Sequence, residues 1–154
     1  MDLILWRHAE AEDAYAGKTD IERRLTTKGR LQARKMAQWL RPRLAKDTRI
    51  LVSPAHRAQE TAAFIALPFL TNASLSIDET AEDALLAAGW PYQGGTCLLV
   101  GHQPTLGLIA SRLMDCSKES WTIKKGAVWW FSLKQREGEP DRTILKTCLL
   151  PRDA

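Results

Sequence analysis

Cysteine is scarce in this chain: Cys97, Cys116 and Cys148 are its only three among 154 residues. Three thiols so widely spaced exclude a disulfide framework or a zinc knuckle, whose ligands recur at short fixed intervals. Cys97 and Cys148 sit in apolar runs, as small core residues do, and a reducing compartment is the simplest setting. Long apolar runs are also missing, since no stretch approaches the ~20 residues that span a bilayer. The start of the chain carries Asp2 and no basic segment ahead of its short apolar run, so it does not read as a secretory signal. The expected location is the cytoplasm, with no membrane partner. Excess charge is mild, at +4. The cations are scattered rather than gathered on one face, which argues against a nucleic-acid partner and suits a small anionic group better. The histidines lack carboxylate or cysteine partners at ligand spacing, so no metal and no other cofactor is expected.

What remains is an ordinary globular composition, 45% hydrophobic and 26% charged, at a length that suits one domain over residues 1–154. Residues 2–7 are apolar and end abruptly in charge, the mark of a buried central strand. Residues 9–24 are polar and predict a loop over the strand end. Thr26 or Thr27 can cap a following helix, with Leu31, Met36, Trp39, Leu40 and Leu44 on its apolar face. A second strand is predicted over 49–52, a helix over 58–65 and a short edge strand over 75–77. A helix over 81–88 is closed by Gly89, and a turn at Gly94-Gly95 leads into a strong strand over 96–100. Pro104 opens a helix over 105–114. Strands over 127–133 and 143–150 pair as an antiparallel hairpin, with one of Trp129 and Trp130 inward and the other outward. This order predicts an α/β three-layer sandwich, with a mostly parallel central sheet, helices on both faces and a C-terminal antiparallel hairpin.

Three of the apolar segments deliver histidine or arginine at their carboxyl ends: Trp6-Arg7-His8-Ala9-Glu10, Ser53-Pro54-Ala55-His56-Arg57 and Gly101-His102-Gln103-Pro104. Ligands of open α/β sheets bind in the crevice at those ends. A neutral imidazole at His8 can attack phosphorus and hold the phosphoryl group as a phosphoramidate, and nearby arginines favour the neutral form. Arg7 and Arg57 offer planar forks for phosphoryl oxygens, and positioning those oxygens is most of the catalysis in phosphoryl transfer. His102 can donate a hydrogen bond to a phosphoryl oxygen. Taken singly, each has a plainer reading: a strand-end histidine bonded to a loop, a solvated arginine, a buried histidine satisfied by backbone. His56 reads better as a surface residue at a helix start. Lys124-Lys125 either borders the site or is solvated.

These motifs, with Ala58-Gln59-Glu60-Thr61 following the second, resemble the histidine phosphatase superfamily, the phosphoglycerate mutase-like fold. The short length and Arg23-Arg24-Leu25-Thr26-Thr27-Lys28-Gly29 resemble its SixA branch, which dephosphorylates phosphohistidine on signalling proteins. The resemblance covers nearly the whole chain. It implies a hydrolase with His8 as the phosphorylated nucleophile, Arg7 and Arg57 as phosphate ligands, His102 as the fourth pocket residue, and no metal. Arg23 matches the arginine of the family's Arg-Pro-Leu-Thr pattern and is either a further substrate-binding anion ligand or a surface charge. The chain departs from the family in having Ala9 where glycine usually follows the histidine, and Arg24 in place of the proline.

Larger members of the superfamily place a carboxylic acid beside the leaving oxygen. Glu10, Glu82 and Asp83 qualify here by composition alone, and each reads better as a solvated carboxylate. An alkoxide leaving group needs a proton donor, whereas a phosphorylated imidazole can bring a proton on its other nitrogen and depart neutral. The expected reaction is therefore hydrolysis of phosphohistidine on a protein through phosphorylated His8, in a pocket open enough for a protein segment. The alternatives are a phosphatase for a small phosphate ester or anhydride, and a non-catalytic module that binds phosphate or phosphohistidine. A metal hydrolase is a more distant reading.

Overall fold

The structure, a computed structural model, describes residues 1–15, 17–115 and 120–154. Ala16 of the expected polar loop and Cys116 among the cysteines lie outside the described residues. The strands are β1 (Asp2–Arg7), β2 (Arg49–Val52), β3 (Leu70–Thr71), β4 (Thr96–Gly101), β5 (Val128–Lys134) and β6 (Arg142–Leu149). The helices are α1 (Thr27–Leu40), α2 (His56–Ala63), α3 (Ala81–Ala88) and α4 (Thr105–Leu113). The strands form one sheet in the order β3-β2-β4-β1-β5-β6. The first four in that order are mutually parallel, and β5 and β6 continue antiparallel.

The central strands are apolar on both sides because both faces of the sheet are covered. In β1, Leu3 and Leu5 face a core completed by α3 and α4 through Ala84, Ala88, Leu106 and Ile109. Ile4 and Trp6 face the other core, with Met36 and Leu40 of α1 and Ala58 and Ala62 of α2. All four β1 side chains are fully buried, and each contributes roughly 1.5–3 kcal/mol on that account. The same double cover corrects the expectation that one tryptophan points outward. Trp129 is buried in the first core and Trp130 in the second.

Thr26 caps α1, its hydroxyl accepting from the Gly29 N–H. The buried face of α1 is Gly29, Ala33, Met36, Ala37 and Leu40. Leu31 does not belong to it and is 55% exposed. At ~100° per residue it lies ~140° around the helix from Met36. The edge strand also falls elsewhere than expected. Leu70 and Thr71 pair with Leu51 and Val52, while residues 73–75 form a 3₁₀ turn. Asn72 starts that turn by accepting from the Ser74 N–H at 2.8 Å, a local side-chain bond that competes with strand pairing. α2 begins at His56, two residues before the expected start.

Register brings the catalytic candidates level. Trp6 and Val52 both lie opposite Val100 on β4, and Arg7 lies opposite Gly101. The His8 N–H donates to the Gly101 carbonyl at 3.0 Å and the Ser53 N–H to the Val100 carbonyl at 3.0 Å. His8, Ser53 and His102 thus emerge together at the carboxyl end of the parallel strands.

Candidate active site

At that end of the strands lies a pocket of about 260 Å³ lined by Arg7, His8, Asp20, Arg23, Arg57, Ile77, His102, Gln103 and Lys125. It gathers all five residues singled out in the sequence: Arg7 and His8 from the end of β1, Arg57 from the first turn of α2, His102 from the end of β4, and Arg23 from the loop after β1. The rings of His8 and His102 are 5.1 Å apart, centroid to centroid.

His8 Nδ1 lies 2.7 Å from the Ala9 carbonyl oxygen. A carbonyl only accepts, so Nδ1 carries the proton and Nε2 is left with a lone pair. Arg57 Nε donates to that Nε2 at 3.3 Å. Burial, opposed by the Ala9 bond and reinforced by His102, Arg57 and Arg7, pushes the His8 value down to about 2. The ring is therefore neutral at physiological pH. The loop that carries it is tightly held. The Gly126 N–H is shared between the Arg7 and His8 carbonyls at 3.1 and 3.0 Å, and the Ala9 N–H donates to Thr61 Oγ1 at 3.1 Å. Ala9 is wholly buried against Leu25 and Ala33, so a small residue is required there.

His102 is likewise neutral, pushed down to about 3 by burial and by Arg57. Its Nε2 lies 2.7 Å from Ser53 Oγ. That oxygen already accepts from the Ala55 N–H at 3.3 Å and is free to donate to Nε2, an arrangement that leaves the proton on Nδ1. Among the described residues, His102 Nδ1 and Arg7 Nε are buried without a hydrogen-bond partner. Buried donors are ordinarily satisfied, and an oxyanion in the pocket is a ready partner. Arg7 Nη1 donates to the Ile123 carbonyl at 2.7 Å. Burial and the charge of Arg57 both lower its pKa, so two guanidiniums repel across a site that an anion would relieve.

Asp20 was not legible in the sequence. It lies in a 3₁₀ turn, residues 20–22, that begins behind Thr19. Its carboxylate pairs with Arg57 Nη2 at 2.8 Å and with Arg23 Nη1 at 2.7 Å. Arg23 Nε also donates to the Glu12 carbonyl at 2.6 Å, which fixes the fork at the pocket wall. The bonds from Arg23 and Arg57 hold the Asp20 pKa below its ordinary value. The only signal in the sequence was the acid–base spacing of Asp20 and Arg23, too common to single out. The three carboxylates considered as acids lie elsewhere. Glu10 pairs with Lys28, Glu82 with Arg112, and Asp83 bonds Thr80. His56 is exposed outside the pocket.

A parallel-sheet crevice holding a neutral, aimed imidazole among guanidiniums defines a class of phosphoryl-group sites. The family model of the histidine phosphatase superfamily (branch 1) matches residues 3–81, and the chain belongs to that superfamily, in its SixA-type branch. The phosphohistidine phosphatase SixA of Escherichia coli K12 is 30% identical over 124 residues, 73% of this chain and 74% of that protein. The fold is shared with the Agrobacterium tumefaciens structure that carries the SixA name, with TM-score 0.77, 24% identity and 97% of each chain covered. It is shared too with a structure of the protein histidine phosphatase SixA complexed with tungstate, with TM-score 0.76, 24% identity and 99% and 98% of the two chains covered.

Proposed function

We propose that the chain acts as one histidine-phosphatase-like domain that hydrolyses phosphohistidine on a protein through phosphorylated His8. One observation carries this reading: among the described residues the pocket offers a nucleophile and cations but no protonated acid. Its single carboxylate, Asp20, is held ionised by Arg23 and Arg57. An alkoxide would have to leave without a proton, at great cost. A phosphoimidazole protonated on its other nitrogen leaves as a neutral ring.

His8 Nε2 gives up the hydrogen bond from Arg57 Nε, whose N–H turns to a phosphoryl oxygen, and donates its lone pair to phosphorus as the P–N bond to the substrate ring breaks. Arg7 and Arg57 hold the equatorial oxygens with paired donors, and His102 donates to one of them. The phosphorylated His8 keeps its Nδ1 proton on the Ala9 carbonyl, so it is itself a good leaving group. Water then attacks phosphorus, the P–Nε2 bond breaks, and the phosphate retains the protons of the water. The tungstate ion, a tetrahedral oxyanion bound by the SixA structure of similar fold, is the kind of ligand this pocket suits.

The test is a comparison of kcat/KM on a phosphohistidine-bearing protein and on simple phosphomonoesters. The phosphohistidine substrate is expected to be cleaved faster by on the order of a hundredfold, the usual contribution of a missing general acid. Equal rates on the two classes contradict the reading.

A further inference from the structure

A groove of about 560 Å³ adjoins the pocket. One wall is the outer stripe of α1, where Lys28, Leu31 and Lys35 fall on one side of the helix. The other wall is built by Lys124 and Lys125, just before β5, and by Pro151 and Arg152, just after β6. The antiparallel pairing of β5 with β1 and β6 returns both segments to the end of the sheet where His8 emerges. Lys125 lines the groove and the pocket alike.

Two properties of this groove call for a particular occupant. It is lined by five cations and no carboxylate. Lys28 and Arg152 pair with the carboxylates of Glu10 and Asp153, and the charge of Lys125 also reaches Glu10, but Lys35, Lys124 and Lys125 form no ion pair within 4 Å among the described residues. The groove also holds apolar surface, from the exposed Leu31 on one wall and from Leu150 and Pro151 on the other. A uniform polyanion would match the lysines and leave that surface wet. An acidic protein segment bearing an apolar side chain matches both.

A glycine packed between the two walls links the groove to the nucleophile. Gly126 has φ +75°, and a Cβ there would come within 2.8 Å of Pro151 Cγ and 3.5 Å of Gln32 Cβ. The absence of a side chain lets the two walls close at the base. The same Gly126 holds the carbonyls of Arg7 and His8.

Resting on the phosphohistidine reading of the pocket, we propose that this groove docks the phosphorylated protein through an acidic segment with an apolar anchor beside its phosphohistidine. Lys125 then bridges the docked segment and the phosphoryl group. Electrostatic complementarity of this kind sets partner choice and encounter rate.

The test uses the full chain and two synthetic phosphohistidine peptides, one flanked by Glu and Leu, the other by Gln and Ser. The wild type is expected to favour the acidic peptide by on the order of tenfold in kcat/KM, mostly through KM. A Lys35→Glu/Lys124→Glu variant, altered at two exposed residues outside the pocket, should lose that preference while cleaving phosphoramidate at the wild-type rate. Equal kcat/KM on the two peptides, or a preference that survives in the variant, overturns the docking inference and leaves the chemistry of the pocket standing. Competition by an oligonucleotide as strong as by the unphosphorylated acidic peptide also overturns it, in favour of a general polyanion surface. Cleavage of p-nitrophenyl phosphate with neither peptide nor phosphoramidate touched overturns the phosphohistidine reading itself, and the docking inference with it.

Discussion

The Ala9 carbonyl decides which nitrogen of His8 can react, and the arginines decide what that nitrogen meets. Arg57 is the most constrained of the three pocket arginines. It is 4% exposed and reaches His8 Nε2, the Asp20 carbonyl and the Asp20 carboxylate with three different nitrogens. A lysine would keep the charge and lose the planar fork. Arg57→Lys should therefore lower kcat/KM by on the order of tenfold or more, with kcat falling at saturating substrate. Unchanged kinetics would contradict paired-donor binding. At this scale Arg7, His8, Arg57 and His102 were legible because each follows an apolar run whose end must reach the strand edge. Asp20 was not. Its position depends on how the loop over residues 9–24 folds back, through the bridge of Ala11 to Leu25 and the bonds to Arg23 and Arg57. None of these has a periodic signature.

Among the elements, the first turn of α1 packs against the loop that follows His8. Gly29 lies so close to the loop after His8 that a Cβ would fall 1.9 Å from the Glu10 carbonyl oxygen. Two effects oppose each other in Gly29→Ala. Helix propensity favours alanine by about 1 kcal/mol, while overpacking against backbone costs typically ~1–3 kcal/mol. The obstacle is a main-chain carbonyl that cannot swing aside, so the collision should win. The variant is expected to unfold at lower urea concentration than the wild type, and a higher midpoint would show that the loop yields freely. The central strands and the helix ends at Thr26 and Gly89 could be read from local pattern, because burial on both faces and capping leave marks in a few adjacent residues. Leu31 and the edge strand could not. An exposed leucine has the same letter as a buried one, and a two-residue strand is defined only by its neighbour.

For the molecule as a whole, burying two neutral histidines has a pH consequence. His8 and His102 have folded values of about 2 and about 3, below the ~6.5 of an unfolded chain. Between those limits the unfolded chain binds more protons. Stability therefore rises with pH through that window and levels off above ~6.5. Each unit of pH below it costs up to about 1.4 kcal/mol per histidine. Below the ordinary carboxylate range, Asp20 and the other carboxylates with lowered values add a loss of the same sign. Thermal unfolding at pH 7 and pH 5 should show a marked fall in Tm for the wild type and a much smaller one for a His8→Gln/His102→Gln variant. The same fall in both would assign the acid sensitivity to other groups. The mixed sheet with both faces covered was legible in the order of the segments. The groove beside the pocket was not, because segments far apart in sequence, on α1 and on either side of the β5–β6 hairpin, build it together.

The most direct test is the chemical fate of the phosphoryl group on the enzyme. The full chain is mixed with a radiolabelled phosphohistidine protein, quenched in alkali within the first turnover, and the bound label is mapped by peptide analysis. Acid-labile, alkali-stable phosphate is expected on His8, lost together with turnover in His8→Ala. Turnover that proceeds with no label on the enzyme, or with the label on another residue, would contradict this mechanism.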